Sequence, residues 1–126
     1  PLSTSDQHQL FAKLHSNLCS KCPRPWYQNL NAPDQTLLTE TNSARGHVPR
    51  RGRPALITSS TSWTPDEDFS SLLEAVVALD QIIIRRQSSL KVLVVVTGKG
   101  PQKLFYQEKM SKLSLQNVAI QTIWLE

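Results

Sequence analysis

Five consecutive apolar residues, Val92-Leu93-Val94-Val95-Val96, constrain the fold of this chain more than any other feature in it. A strand with one face in water alternates apolar and polar residues. An unbroken β-branched run is expected where both faces are covered, which is the situation inside a parallel sheet. Thr97-Gly98-Lys99-Gly100-Pro101 follows at once, supplying glycines for a tight turn and a proline suited to the first turn of a helix.

The pattern repeats on both sides of this run. Ala55-Leu56-Ile57-Thr58-Ser59-Ser60 is a short apolar run ending in hydroxyls, expected as a second buried strand. Thr64-Pro65-Asp66-Glu67 has the form of a helix start: Thr64 as N-cap, Pro65 at the first helical position, and Glu67 placed to close a capping box. Phe69, Leu72, Leu73, Val76, Val77 and Ile83 then recur at helical spacing and define one apolar face. Arg85 and Arg86 suit the negative end of that helix, and Ser88-Ser89 makes a turn. A second helix is expected from Pro101 to about Leu113, with the weaker apolar set Leu104, Phe105, Met110 and Leu113. Residues 118–124 read as a third strand.

The order β-α-β-α-β implies an α/β fold, a Rossmann-like three-stranded parallel sheet that is half of a doubly wound domain. Such a sheet leaves apolar surface and at least one strand edge to be covered. On that ground the chain is expected to be a fragment of a longer protein or a truncated paralogue.

Residues 1–54 have a different character. They hold six of the eight prolines and lack a sustained period, so they are expected to form an irregular, basic, Pro-rich interdomain linker segment ahead of a domain spanning 55–126. A short helix is expected over 8–14, with Leu10, Phe11 and Leu14 on one side. The net charge of +4 resides here: seven Lys/Arg against three Asp/Glu, while 55–126 carry seven of each. A basic tail on a neutral core does not make the core a nucleic-acid binder, and the arginines of 45–53 read as a solvated linker. Cys19 and Cys22 are too few for a multi-bridge secreted scaffold, which favours a reducing compartment. Their Cys-x-x-Cys spacing lacks the further ligands a zinc site needs and the strand-to-helix setting of a redox motif. No apolar run is long enough to span a membrane.

In an open parallel sheet, ligands bind beyond the carboxyl ends of the strands. Three loops reach that rim: residues 59–64, residues 97–101 and residues 124–126. The first two combine hydroxyls, backbone N–H groups, a lysine and helix N-termini, a setting suited to a phosphate or diphosphate. The same Gly-x-Gly-Pro string also serves as an ordinary strand-to-helix turn, and it matches neither the dinucleotide fingerprint nor a Walker loop. Asp66, Glu67 and Asp68 read as capping residues before they read as catalytic acids, and Trp63 as cover for a core edge before a stacking platform. His8, His15 and His47 all fall in the N-terminal stretch, so no Ser-His-Asp arrangement can be assembled and no catalytic residue is named.

The string Ser59-Ser60-Thr61-Ser62-Trp63-Thr64-Pro65-Asp66-Glu67-Asp68-Phe69, with Arg53-Pro54-Ala55-Leu56-Ile57-Thr58 before it, resembles the start of the C-terminal domain of the chitobiosyldiphosphodolichol beta-mannosyltransferases, a GT-B glycosyltransferase family. Thr97-Gly98-Lys99-Gly100-Pro101 and Trp124-Leu125-Glu126 are similar to later family segments in the same order. Gln7-His8-Gln9-Leu10-Phe11-Ala12-Lys13-Leu14 resembles the stretch before the family's interdomain linker. The resemblance is close over 53–126, fair over 7–14 and poor over 15–52.

That resemblance implies an inverting mannosyltransferase at the cytosolic face of the endoplasmic reticulum membrane, using GDP-mannose as donor and dolichol-linked chitobiose diphosphate as acceptor. An acceptor hydroxyl attacks while the departing GDP is stabilised by fixed dipoles and donors. Ser60, Thr61, Ser62, Gly98, Lys99 and Gly100 would line the donor cleft, with Lys99 the best candidate for a phosphate contact. No cofactor and no metal ligand are assigned within this stretch. Other glycosyltransferases of the pathway are the candidate protein partners, and nucleic acid is not one. The family's N-terminal domain and later donor loops have no counterpart here, so the chain is expected to be inactive alone. The alternative is a non-catalytic truncated paralogue acting as an interaction module through its unpaired sheet edge.

Overall fold

Strand β4, Val92–Thr97, is the central strand of a three-stranded parallel sheet. Its neighbours are β3, Ala55–Ser60, and β5, Val118–Ile123. The computed structural model describes residues 2–31, 33–60, 62–63 and 69–123. The chain divides into two compact units, residues 1–54 and residues 55–126.

In the second unit, α2 (Phe69–Arg85) connects β3 to β4, and α3 (Lys103–Ser111) connects β4 to β5, a Rossmann-like arrangement. One alternating face of β4, Val92, Val94 and Val96, packs with Val118 and Ile120 of β5 against Phe69, Leu73, Val76 and Ile83 of α2 and Tyr106 of α3. Leu93 and Val95, which point the other way, are buried as well, so the continuous run is covered on both faces. The expected start of α2, Thr64 to Asp68, lies outside the described residues.

Three features depart from the sequence reading. β3 was expected to be buried, yet it has a single neighbour, and Leu56 and Ile57 are 40% and 47% exposed. Edge position alone is not the cause, because β5 is also an edge strand and is buried; Val118 and Ile120 of β5 join the core cluster, whereas no residue of β3 does. In α3 the expected apolar residues Leu104 and Phe105 face out, at 79% and 52% exposure. The helix is instead anchored by Tyr106, with Met110 and Leu113 partly buried at the following core positions. Third, Asp80 is buried on the apolar face of α2, where its carboxylate accepts hydrogen bonds from the backbone N–H of Asn117 at 2.7 Å and of Gln116 at 3.1 Å.

Helix α2 ends in the αL motif typical of helix C-termini. Gln87 has φ 52°, its N–H donates to the Ile84 carbonyl, and the Ser88 N–H donates to the Ile83 carbonyl. These are the two bonds of a Schellman cap, here built on a non-glycine residue.

The first unit holds a helix and an antiparallel hairpin. Helix α1 runs Thr4–Cys19, well beyond the expected 8–14, and the Ser3 hydroxyl caps it by accepting from the Asp6 N–H at 3.1 Å. A 3-10 turn, Arg24–Trp26, follows. β1 (Thr39–Asn42) and β2 (Gly46–Pro49) form an antiparallel hairpin. Its turn is set by Asn42, whose side-chain oxygen accepts from the N–H groups of Ala44 and Arg45, and by Gly46 at φ 74°. Trp26, Leu37 and Leu38 are buried. Arg50, expected among the solvated arginines of 45–53, donates from Nε to the Thr36 carbonyl at 3.0 Å and from Nη2 to the Leu37 carbonyl at 2.9 Å. The ordering comes from side-chain-to-backbone bonds between residues distant in sequence, which leave no periodic trace.

Candidate functional site

Ser60 and Thr97 are register partners at the ends of β3 and β4. Because the strands run parallel, the loops that follow them leave the sheet at the same end. Thr97 is in turn paired with Ile123, so β5 finishes at that end too. The third loop expected at the rim, residues 124–126, lies outside the described residues, as does Thr61.

The first two loops touch. Gly100 sits so close to the Ser62 carbonyl that a Cβ built on it would overlap that group and crowd Trp63 Cβ, at 2.8 Å. The Gln102 N–H donates to the Trp63 carbonyl at 2.9 Å. Gly98 has φ 136°, a conformation L-residues with side chains rarely adopt. Both glycines therefore have a backbone reason to be there: one makes the turn, the other makes room for the neighbouring loop.

Trp63 holds the first loop down. It is 1% exposed and adopts φ 55°, which is uncommon for a bulky residue and persists only when the surroundings enforce it. Its ring lies 4.6 Å from Phe69 and 6.0 Å from Tyr106, which are themselves 5.0 Å apart edge-on. The start of α2, the start of α3 and the first loop thus share one aromatic cluster. The residue expected to cover a core edge does so.

Above this cluster Ser60, Ser62, Lys99 and Gly100 are exposed, and Gly98 is half-buried. Of the six expected donor-site residues, five are described: Ser60 ends β3, and Ser62, Gly98, Lys99 and Gly100 lie on the two adjoining loops beyond the strand ends. What the rim offers is hydroxyls, backbone groups, one lysine and the N-terminus of α3, a donor set matched to an anion. The sequence reading missed Gln102, whose N–H ties the second loop to the first. A lone glutamine after a proline carries no signal for such a bond.

The cysteines form no comparable site. Cys19 and Cys22 are buried free thiols. The Cys22 thiol donates to the Leu18 carbonyl at 3.2 Å. Burial, with Cys19 close by, pushes the Cys22 thiol up to about 12. Burial also raises Cys19, partly offset by Arg50. The ring of His15, whose nearer nitrogen lies 3.7 Å from Cys19 Sγ, is shifted down by burial and by Arg50. Thiols held protonated in this way are poor nucleophiles and poor ligands. Among the described residues no group of three or more His, Cys, Asp or Glu is arranged to hold a metal ion.

No family model and no solved structure matches the chain. Curated relatives do. It is 40% identical over 123 residues to the mouse (Mus musculus) chitobiosyldiphosphodolichol beta-mannosyltransferase, covering 95% of this chain and 25% of the relative. The human (Homo sapiens) enzyme of the same name is 37% identical over 121 residues, covering 95% and 26%. A protein of Arabidopsis thaliana named UDP-glycosyltransferase TURAN is 35% identical over 144 residues, covering 99% and 30%. These matches run through most of residues 1–54, including the stretch where the resemblance read from the sequence was poor. The chain spans between a quarter and a third of the length of these relatives. Over that span the chain is similar in sequence to the chitobiosyldiphosphodolichol beta-mannosyltransferases, relatives named as glycosyltransferases.

Proposed function

We propose that the chain forms the opening of the donor-binding domain of a mannosyltransferase that moves mannose from GDP-mannose to dolichol-diphosphate-linked chitobiose at the cytosolic face of the endoplasmic reticulum. In this reading residues 1–54 lead in from a preceding domain, and residues 55–126 begin the nucleotide-sugar-binding domain. The observation that supports it most is the joined rim: parallel strands place the Ser62 and Gly98–Gly100 loops side by side, with Gly100 against the Ser62 carbonyl.

The chemistry asked of this rim is electrostatic. As the sugar leaves, charge builds on the diphosphate, and fixed donors aimed at it stabilise the transition state without reorganising. Ser60, Thr61 and Ser62 would supply hydroxyls, Gly98 and Gly100 close backbone approach, and Lys99 a cation. The base that activates the acceptor is assigned to no residue here, so the chain alone is expected to bind nucleotide without turning over.

Titration with GDP, followed by amide chemical-shift mapping, tests the reading. Shifts concentrated at Ser62, Gly98, Lys99 and Gly100 are expected. UDP belongs in the same experiment, because one relative is named for it. Stronger binding of UDP would replace the donor and keep the site; no shift in either loop would remove the site.

The exposed edge of β3, with Leu56 and Ile57 open to solvent, favours a second reading in which the chain is a non-catalytic interaction module. Capture of a partner glycosyltransferase with no nucleotide binding would select it.

A further inference from the structure

The opposite end of α2 carries a feature that the rim does not explain. Ile82, Arg85 and Arg86 line a cavity of about 290 Å³. Their spacing of three and four residues puts them on one helix face, turned away from the core positions Val76, Asp80 and Ile83. Both arginines are exposed and Ile82 is 39% exposed. Leu90, in the turn from α2 into β4, is 46% exposed at the same pole.

Residues 81–91 contain Arg85, Arg86 and Lys91 and no acidic residue. The acid immediately before them, Asp80, is buried and committed to the Gln116 and Asn117 amides. Among the described residues neither arginine forms an ion pair. A cation in the last helical turn suits the helix dipole, and one would suffice for that purpose. The dipole also gives no reason for two large aliphatic side chains to stand in water beside the arginines.

We propose that this pole of the second unit docks on an anionic phospholipid surface. Arg85 and Arg86 would sit at the level of the lipid phosphates, with Ile82 and Leu90 entering the outer part of the acyl layer. Basic side chains beside exposed aliphatics form the combination by which protein surfaces bind charged bilayers reversibly. The choice of a membrane over an acidic protein rests on the function proposed above, since a lipid-borne acceptor requires work at a bilayer surface. No described helix is long and apolar enough to cross a membrane.

The test is co-sedimentation of the full chain with vesicles of phosphatidylcholine alone and of equal parts phosphatidylcholine and phosphatidylserine. Binding to the mixed vesicles is expected, weakening with salt and falling close to background on the neutral ones. Each arginine near such a surface is worth about fivefold, so the Arg85→Gln/Arg86→Gln double variant is expected to bind roughly 25-fold more weakly. Ile82→Ser should lose severalfold with its fold intact by circular dichroism. An Arg45→Gln/Arg51→Gln/Arg53→Gln variant in the first unit should lose less than the double variant. The proposal is overturned if the mixed vesicles are not bound, or if that triple variant abolishes binding while the double variant keeps it. It is equally overturned if polyglutamate competes fully and Ile82→Ser has no effect, which would point to an acidic protein partner. Nucleotide titration is independent of all these outcomes, so a chain that binds vesicles and not GDP would fail only the donor-site reading.

Discussion

Gly100 is packed against the carbonyl of Ser62, across the gap between two loops that leave neighbouring parallel strands. This contact makes one rim out of two turns. Substituting Gly100→Ala puts a methyl group into backbone that cannot move aside like a flexible side chain. Forced overpacking of this kind costs about 1–3 kcal/mol. Thermal or urea unfolding should show that loss, and nucleotide binding should weaken along with it. An unchanged melting temperature would mean the loops are not held together as described.

Lys99 is the cation at the rim. If a diphosphate rests there, Lys99→Gln removes a charge-assisted bond worth about 1.5–3 kcal/mol. GDP affinity by calorimetry should fall by roughly ten- to 150-fold. Equal affinity in the two proteins would take Lys99 out of the donor site.

Asp80 ties α2 to the turn that starts β5. In Asp80→Ala the Gln116 and Asn117 N–H groups lose their acceptor, and losing a buried charged partner costs about 2–3 kcal/mol. Asp80→Asn keeps one acceptor oxygen and should cost less. Chemical denaturation of the three proteins gives the ranking, and an alanine variant as stable as the parent would contradict it.

Gln87 occupies the left-handed position of the Schellman cap at φ 52°. A side chain there is strained by about 1 kcal/mol, which glycine avoids. Gln87→Gly should therefore stabilise the second unit by about 0.5–1 kcal/mol in urea unfolding. Destabilisation would show that the loop does not hold this conformation.

Cys22 sets a pH dependence. Its thiol stands near 12 in the folded chain against 9.0 for an ordinary thiol, with burial as the main cause. A group whose acidity constant is raised by folding supports the fold fully below the unfolded value, and that support fades as pH climbs toward the folded value. Stability should fall between pH 9 and about 12 more steeply in the parent than in Cys22→Ala, as read from melting temperatures. In the native chain both cysteines should react with iodoacetamide far more slowly than in urea. Parallel pH curves for parent and variant would show that Cys22 is not the buried protonated thiol described.

The strong local patterns were readable without coordinates. Val92 to Val96 announced a central parallel strand, Phe69 to Ile83 gave the buried face of α2, and the alternation of strands and helices implied the sheet. Each of these is periodic and repeated over enough residues for apolar burial to dominate every competing preference. The placement of the Ser62 and Gly98–Gly100 loops at one end follows from the same parallel order.

What the letters left open was decided by neighbours. Ala55 to Ser60 has the composition of a buried strand and is exposed, because burial depends on what packs on a strand's faces, and none of its residues joins the core cluster as Val118 and Ile120 of the other edge strand do. In α3 the choice between Phe105 and Tyr106 went to the residue that meets Trp63 and Phe69, a cluster assembled from three separate segments. The hairpin of the first unit is braced by Arg50 reaching the Thr36 and Leu37 carbonyls and by His8, whose Nδ1 is hydrogen-bonded to the Thr39 hydroxyl at 2.8 Å. Bonds between distant residues have no spacing to betray them. Local periodicity therefore fixed which segments of residues 55–126 became helix or strand, and only long-range packing settled the first unit, which faces were covered and how the two rim loops met.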